Sequence, residues 1–245
     1  MSPFVAEIVG TMILMLFGTG VNANVSLNKT TGSSAGWIVI TLGWGMAVFV
    51  GVIVSQDYSG AHLNPAVTLG LAAAGKFAWE LVFWYILAQF IGAMIGSTIA
   101  WAMYSQHFNA TDDPAAQLGA FSTGPAISHL PTNLLSEIVG TFALVFVVLY
   151  ITGPSGFMPA DPSAPVGLGS VGALPVGLLV LAIGLCLGGP TGYAINPARD
   201  LGPRILHSIL PIRGKGPSNW GYAWIPVVGP MLGALVAAGL FLGLS

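Results

Sequence analysis

Ser59-Gly60-Ala61-His62-Leu63-Asn64-Pro65-Ala66-Val67-Thr68 and Gly192-Tyr193-Ala194-Ile195-Asn196-Pro197-Ala198-Arg199-Asp200 each hold an Asn-Pro-Ala tripeptide between strongly apolar stretches. Upstream of each the chain begins alike: Glu7-Ile8-Val9-Gly10-Thr11 returns as Glu137-Ile138-Val139-Gly140-Thr141. The pentapeptides lie 130 residues apart and the two asparagines 132. Two signals at nearly one interval identify a duplicated unit with one special tripeptide per half. Repeat one is assigned to 1–105, a linking loop to 106–131 and repeat two to 132–245, together forming a single domain.

With 55% hydrophobic residues and 6% charged, and a mean hydropathy of +0.85, the chain is unlike a soluble domain, which carries roughly 25% charge. A net charge of −2 without a basic cluster gives no reason to expect nucleic acid. Cys186 is the only cysteine, so no intrachain disulfide or cysteine metal site is possible, and it reads as a small apolar filler. His107, His129 and His207 are scattered without metal-ligand spacing, and no nucleophile-and-base pair stands out. The expectation is a protein with no cofactor and no enzymatic activity. Met1-Ser2-Pro3-Phe4 lacks the positive start of a cleaved signal peptide, so the first apolar run is read as a span that stays.

Crossing roughly 30 Å of hydrocarbon takes about 20 apolar residues. Such spans are placed near 4–25, 36–56, 80–103, 133–152, 171–189 and 221–243. The polar connection 106–131 and the segment 153–170, with Pro154, Pro159, Pro162 and Pro165, read as loops outside the lipid. Three spans per half make the second repeat enter the membrane from the opposite side, so the repeats are inverted. The pieces 65–75 and 197–208 are too short to cross. Each opens with Asn-Pro, an N-cap followed by proline at the first helical position. They read as re-entrant half-helices whose N-termini meet near the midplane, with Gly60, Gly188, Gly189 and Gly192 allowing a tight approach. Lys29, Lys76, Arg213 and Lys215 do not favour one side, so charge leaves the orientation open.

An asparagine at such an N-cap accepts from its own helix through its side-chain oxygen and keeps its NH₂ group as a donor. Two of them at the meeting point, backed by the positive ends of two helices, welcome a hydroxyl oxygen and repel a cation. Arg199 is the costliest residue in the chain: at membrane depth an arginine costs at least ~2.5 kcal/mol, so it is expected to face a cavity or an ion-pair partner such as Asp200 or Glu137. Glu7 and Glu137 are carboxylates inside spans, for which loop support and proton coupling are the two readings.

Both motif stretches, with the Glu-initiated repeats, resemble the signature regions of the aquaporin family, and the resemblance covers nearly all 245 residues. It implies an all-α membrane protein of six transmembrane helices and two re-entrant half-helices. It also implies the Asn64-Pro65-Ala66 and Asn196-Pro197-Ala198 motifs (NPA motifs) at the pore centre and Arg199 in the narrow outer selectivity filter. Aligning on the motifs puts the other filter positions at Trp44, Gly184 and Tyr193. Trp44 stands 20 residues before Asn64, as in bacterial glycerol facilitators. Gly184 stands where water-selective members place histidine and leaves room for a second aromatic ring, so that Trp44 and Tyr193 form an apolar corner for a polyol's CH groups while Arg199 binds its OH groups. Asp200 and Pro226-Val227 also resemble the glycerol-conducting branch. Tyr193, where that branch commonly has phenylalanine, and Gly124, where it often has tyrosine, depart from it; the added hydroxyl is expected to make the filter narrower and more polar.

By the same resemblance Glu7 and Glu137 support the re-entrant loops. The carbonyls of Gly60, Ala61, His62, Gly192, Ala194 and Ile195 are then turned toward the pore, while the His62 ring packs. The implied function is a passive, multi-pass channel of the plasma membrane. It would pass glycerol, water and similar neutral solutes (dihydroxyacetone, urea, peroxide or protonated small acids) and exclude protons and ions. The implied assembly is a homotetramer in the lipid bilayer. The competing reading is a secondary transporter, since inverted repeats with broken helices build those too.

Overall fold

A computed structural model describes residues 1–151, 156–158 and 161–245. In chain order it contains α1 (Pro3–Ser26), α2 (Trp37–Ser59), α3 (Pro65–Ala73), α4 (Trp79–Asn109), α5 (Pro114–Phe121), α6 (Leu130–Tyr150), α7 (Leu174–Leu187), α8 (Pro197–Ile209) and α9 (Ile225–Leu244). Among the described residues six helices are long and apolar enough to cross a membrane, α7 being counted with the 3-10 turn Gly169–Ala173 before it. The span and half-helix assignments match these helices with shifts at the ends. α4 continues to Asn109, beyond the expected 103, and α9 starts at Ile225 rather than 221.

The burial pattern is that of a protein whose solvent is lipid. Ile38, Phe83, Met103 and Val236 point outward, while Glu7, Gln89, Gln117, Glu137, Arg204 and His207 are fully buried. A water-soluble fold inverts that order. Lipid gives no hydrophobic drive between helices, so close packing and satisfied polar groups must hold the bundle. Glycines provide the first. A Cβ on Gly96 of α4 would strike the Met12 carbonyl of α1, and one on Gly233 of α9 would strike the Ile138 carbonyl of α6. These glycines thus bring α1 against α4 and α6 against α9 within one chain, in mirrored fashion.

Two short helices fill the interior. α3 is capped by the Asn64 side-chain oxygen, which accepts from Ala66 N–H at 2.8 Å, and has Pro65 at its first position. Asn196 caps α8 in the same way, accepting from Ala198 and Arg199 N–H at 3.1 and 3.2 Å. At 1.5 Å per residue these helices are about 13 and 20 Å long, too short to cross. α3 ends at Ala73 rather than 75. Gly75 (φ 69°) turns the chain there, with Gly75 N–H donating to Ala72 O and Lys76 N–H to Leu71 O, a Schellman stop that favours glycine.

Two elements were not legible. The linking region 106–131 contains α5, capped by Asp113, whose side chain accepts from Ala115 N–H at 2.8 Å ahead of Pro114. The proline-rich segment 153–170 contains an antiparallel pair of strands, β1 (Gly156–Met158) and β2 (Asp161–Val166). Pro154 and Pro159 of that segment lie outside the described residues.

Candidate functional site

The approach to each half-helix is a strained loop. Gly60, Ala61 and Leu63 have φ of 78°, 52° and 51°, and Gly192, Tyr193 and Ile195, each 132 residues later, have 78°, 39° and 42°. A left-handed conformation costs a non-glycine residue roughly 1–2 kcal/mol, so something must hold these loops. A carboxylate does so in each. Glu7 accepts from Ser59 Oγ (2.6 Å) and His62 N–H (2.9 Å) on one oxygen, and from Leu63 N–H (2.8 Å) and Gln89 Nε2 (2.7 Å) on the other. Glu137 accepts from Thr191 Oγ1 (2.7 Å), Ala194 N–H (3.0 Å) and Ile195 N–H (2.8 Å). These bonds occupy the amides that would otherwise pull the carbonyls back into regular structure.

The half-helices meet cap to cap. Asn64 Nδ2 donates to Ile195 O at 2.8 Å, and Asn196 Nδ2 donates to Leu63 O at 2.9 Å. The expectation that each NH₂ group is wholly free is therefore corrected. One hydrogen of each amide straps the opposite loop, and the other has no partner among the described residues. It follows that Ile195 O, expected only as a pore-lining carbonyl, also fastens the first repeat, and that Leu63 O, absent from the expected set, does the same for the second. The positive ends of α3 and α8 converge on this point.

A cavity of about 340 Å³ runs past it. Because Trp44 and Gln56 of α2 both line it, it extends about 18 Å along that helix. Of the expected site residues, Trp44, Tyr193, Arg199, Asn64 and Asn196 line it, as do Gly60, Ala61, His62, Ala194 and Ile195. Gly184 and Gly192 do not, nor do Pro65, Ala66, Pro197 and Ala198, which form the first turns of the half-helices. Apolar residues such as Val48, Val52, Val67 and Val180 make up much of the remaining wall. The His62 ring packs on Phe77 and Tyr85, with Nδ1 at 3.1 Å from Thr68 Oγ1.

At one end of the cavity Arg199 lies over the Trp44 ring, its Cζ 4.1 Å from the ring centroid, in a cation–π arrangement. Its Nη1 donates to Phe121 O at 3.2 Å. Asp200 pairs with Arg204 instead (2.8 Å, both side chains fully buried), and also accepts from Thr123 N–H and Oγ1. Of the two readings of Arg199, the structure shows it lining the cavity: it donates to a backbone carbonyl, and among the described residues neither Asp200 nor Glu137 forms an ion pair with it. The i,i+4 spacing of Asp200 and Arg204 on a helix was the signal for the real pair.

The Gly184 position is not vacant. A Cβ there would lie 2.7 Å from Tyr193 Cζ, and one on Gly188 would lie 2.5 Å from Tyr193 Cδ1. The Tyr193 ring lies in a glycine groove of α7, held edge-on by Trp37, whose Nε1 donates to Gly184 O at 3.1 Å. Its hydroxyl is buried, with no hydrogen-bond partner among the described residues. The expectation that this hydroxyl makes the filter more polar is overturned: the glycine groove takes it out of the cavity.

The sequence pattern of the major intrinsic protein family matches residues 1–241. The chain is 53% identical over 233 residues to the glycerol uptake facilitator protein of Bacillus subtilis, covering 95% of this chain and 81% of that one. It is 52% identical over 241 residues to the glycerol uptake facilitator protein of Streptococcus pneumoniae, covering 98% of both. The X-ray structure of the aquaglyceroporin from Plasmodium falciparum superposes with a TM-score of 0.81 at 34% identity, covering 97% of this chain and 93% of that one.

Proposed function

Because the chain belongs to the major intrinsic protein family, we propose that its glycerol channel works as a passive two-faced pore, with a filter made by Trp44, Tyr193 and Arg199 and a centre made by Asn64 and Asn196. The chain is a multi-pass channel of the plasma membrane and not an enzyme. The finer reading adds water and other small neutral solutes to glycerol, and exclusion of protons and ions.

The chemistry follows from which groups face the cavity. A polyol has an apolar CH edge and a polar OH edge. The Trp44 and Tyr193 rings receive the first, and the free guanidinium N–H groups of Arg199 donate to the second. Deeper in, the loop carbonyls accept from hydroxyls and the remaining hydrogen of each asparagine amide donates to their oxygens. Solute bonds are exchanged along the path rather than lost, which keeps desolvation small. A cation meets Arg199 and then two helix N-termini, each worth roughly half a positive charge. A water that accepts from both asparagines has both lone pairs engaged, so it cannot accept a proton from its neighbour in the file.

Glu7 and Glu137 act in this reading as loop supports. The halves 1–105 and 132–245 act as inverted repeats, and the assembled state is a homotetramer with a pore in each subunit.

The observation that carries the reading is the crossed pair of amide-to-carbonyl bonds, from Asn64 to Ile195 and from Asn196 to Leu63, beside the cavity. Stopped-flow light scattering on proteoliposomes tests it. Glycerol and water fluxes are expected to be fast in both directions, unsaturated at low millimolar solute and indifferent to proton or sodium gradients. Gradient-driven uptake would instead identify a secondary transporter.

A further inference from the structure

Asn22 sits on α1, outside both signature loops and outside the cavity wall, yet it is almost completely buried at 6% exposure. Its Oδ1 accepts from Trp44 Nε1 at 3.0 Å, and its Nδ2 donates to Gly119 O of α5 at 3.2 Å. One turn earlier on the same face, Gly18 has no side chain, and a Cβ there would collide with the Trp44 ring. The indole therefore lies flat on a bare strip of α1 with its only polar atom pinned at the far end of the strip. The other hand of Asn22 reaches α5 two residues before Phe121, whose carbonyl accepts from Arg199 Nη1. One amide thus touches the supports of both faces of the filter: the Trp44 ring directly, and the Phe121 carbonyl behind Arg199 through α5.

We infer that Asn22 is a positioning residue for the filter, setting the tilt of the Trp44 ring against Arg199 and so the size of polyol that passes. It also turns the indole N–H away from the solute, so that Trp44 offers the cavity no donor. Without that acceptor a buried N–H is left unpaired, a cost the indole can relieve by turning toward the cavity that Trp44 lines, where water can pair it. The ring then tips its nitrogen toward the cavity, out of its stack with Arg199, and narrows the path there. Large solutes lose more than small ones.

The inference rests on the glycerol-channel reading, and the test separates the two. Glycerol, erythritol and water permeabilities are measured in the same proteoliposomes for the parent channel, Asn22→Leu, Trp44→Phe and the double variant. Parent vesicles no faster to glycerol than empty ones would reject the channel reading itself. With a conducting parent, Asn22→Leu is expected to lower the erythritol-to-glycerol ratio about fivefold, the factor that ~1 kcal/mol represents. In the Trp44→Phe background, where there is no indole N–H, adding Asn22→Leu should move that ratio by less than about twofold. A residue that only stabilises the fold would lower every flux together and leave the ratio unchanged. An unchanged ratio in Asn22→Leu overturns the inference, and so does an equal shift with and without the indole. Should Asn22→Leu fail to purify as a folded channel, Asn22→Ser, which is too short to reach either partner, carries the same comparison.

Discussion

Adding a single methyl at residue 184 should throttle glycerol more than water. In Gly184→Ala the new Cβ lands 2.7 Å from Tyr193 Cζ, 2.9 Å from Tyr193 Oη and 2.9 Å from Thr41 Cγ2. Carbon atoms in contact prefer about 3.5–4.0 Å, so the ring must retreat by about 1 Å. Behind it stand α7 and Trp37, which meets it edge-on with ring centroids 5.7 Å apart. The open direction is the cavity, toward Arg199 and Trp44. Overpacking of this kind costs about 1–3 kcal/mol. If the displaced ring imposes that cost on each passing polyol, glycerol permeability falls between about fivefold and about 160-fold, at 1.36 kcal/mol per tenfold. Water, with a smaller cross-section, should lose under about threefold by the same argument. The assay is stopped-flow shrinkage and re-swelling of one vesicle preparation with an impermeant osmolyte and with glycerol, normalised to folded protein. Gly184→Ala with Tyr193→Leu should recover most of the glycerol flux, because the clash goes with the ring. Glycerol permeability of Gly184→Ala within twofold of the parent would show that α7 does not set the ring's position, and the reasoning would fail.

Three further outcomes are expected. Tyr193→Phe should keep glycerol flux within about twofold and raise or preserve thermal stability, by up to ~1 kcal/mol, because it deletes a buried hydroxyl that has no partner among the described residues; a fivefold loss of flux would put that hydroxyl in the lumen. Asp200→Asn should cost about 3–5 kcal/mol by leaving Arg204 buried and unpaired, seen as loss of folded channel in detergent. A melting temperature equal to the parent's would contradict that cost. Arg199→Val should raise proton leak measured with an entrapped pH dye, since the guanidinium there is not neutralised by a carboxylate; an unchanged leak would mean that the paired caps suffice alone.

Much of this architecture could be read from local signals. The spans follow from apolar length, and the half-helices from an Asn-Pro cap ahead of too few apolar residues. α5 carried the same signature, Asp113 then Pro114, but in a polar stretch with no apolar run to draw attention to it. The site divides differently. Asn64, Asn196, Arg199 and the two glutamates were legible because a polar group in a span is conspicuous and because the duplication repeats them. What stayed hidden was what each group bonds to. Asn64 reaches across 131 residues to Ile195 O, Trp44 reaches back 22 to Asn22, and Arg199 finds Phe121 O 78 positions earlier. Backbone carbonyls are the partners in two of these, and a carbonyl carries no sequence signature at all. The groove that takes the Tyr193 ring was half legible, since Gly184 was noticed for the room it makes and Gly188 only as an approach residue.

The reciprocal amide straps also impose an order on synthesis. At 5–20 residues per second, the carbonyl that receives Asn64 emerges from the ribosome on the order of ten seconds after Asn64 itself. Through that interval the first re-entrant segment is held only from within its own half, by its glutamate clip and by Tyr85 and Gln89 of α4, a tip awaiting its mate. The cap-to-cap junction beside the cavity is therefore among the later things the nascent chain can assemble, and a truncation anywhere before residue 195 removes the carbonyl that receives Asn64.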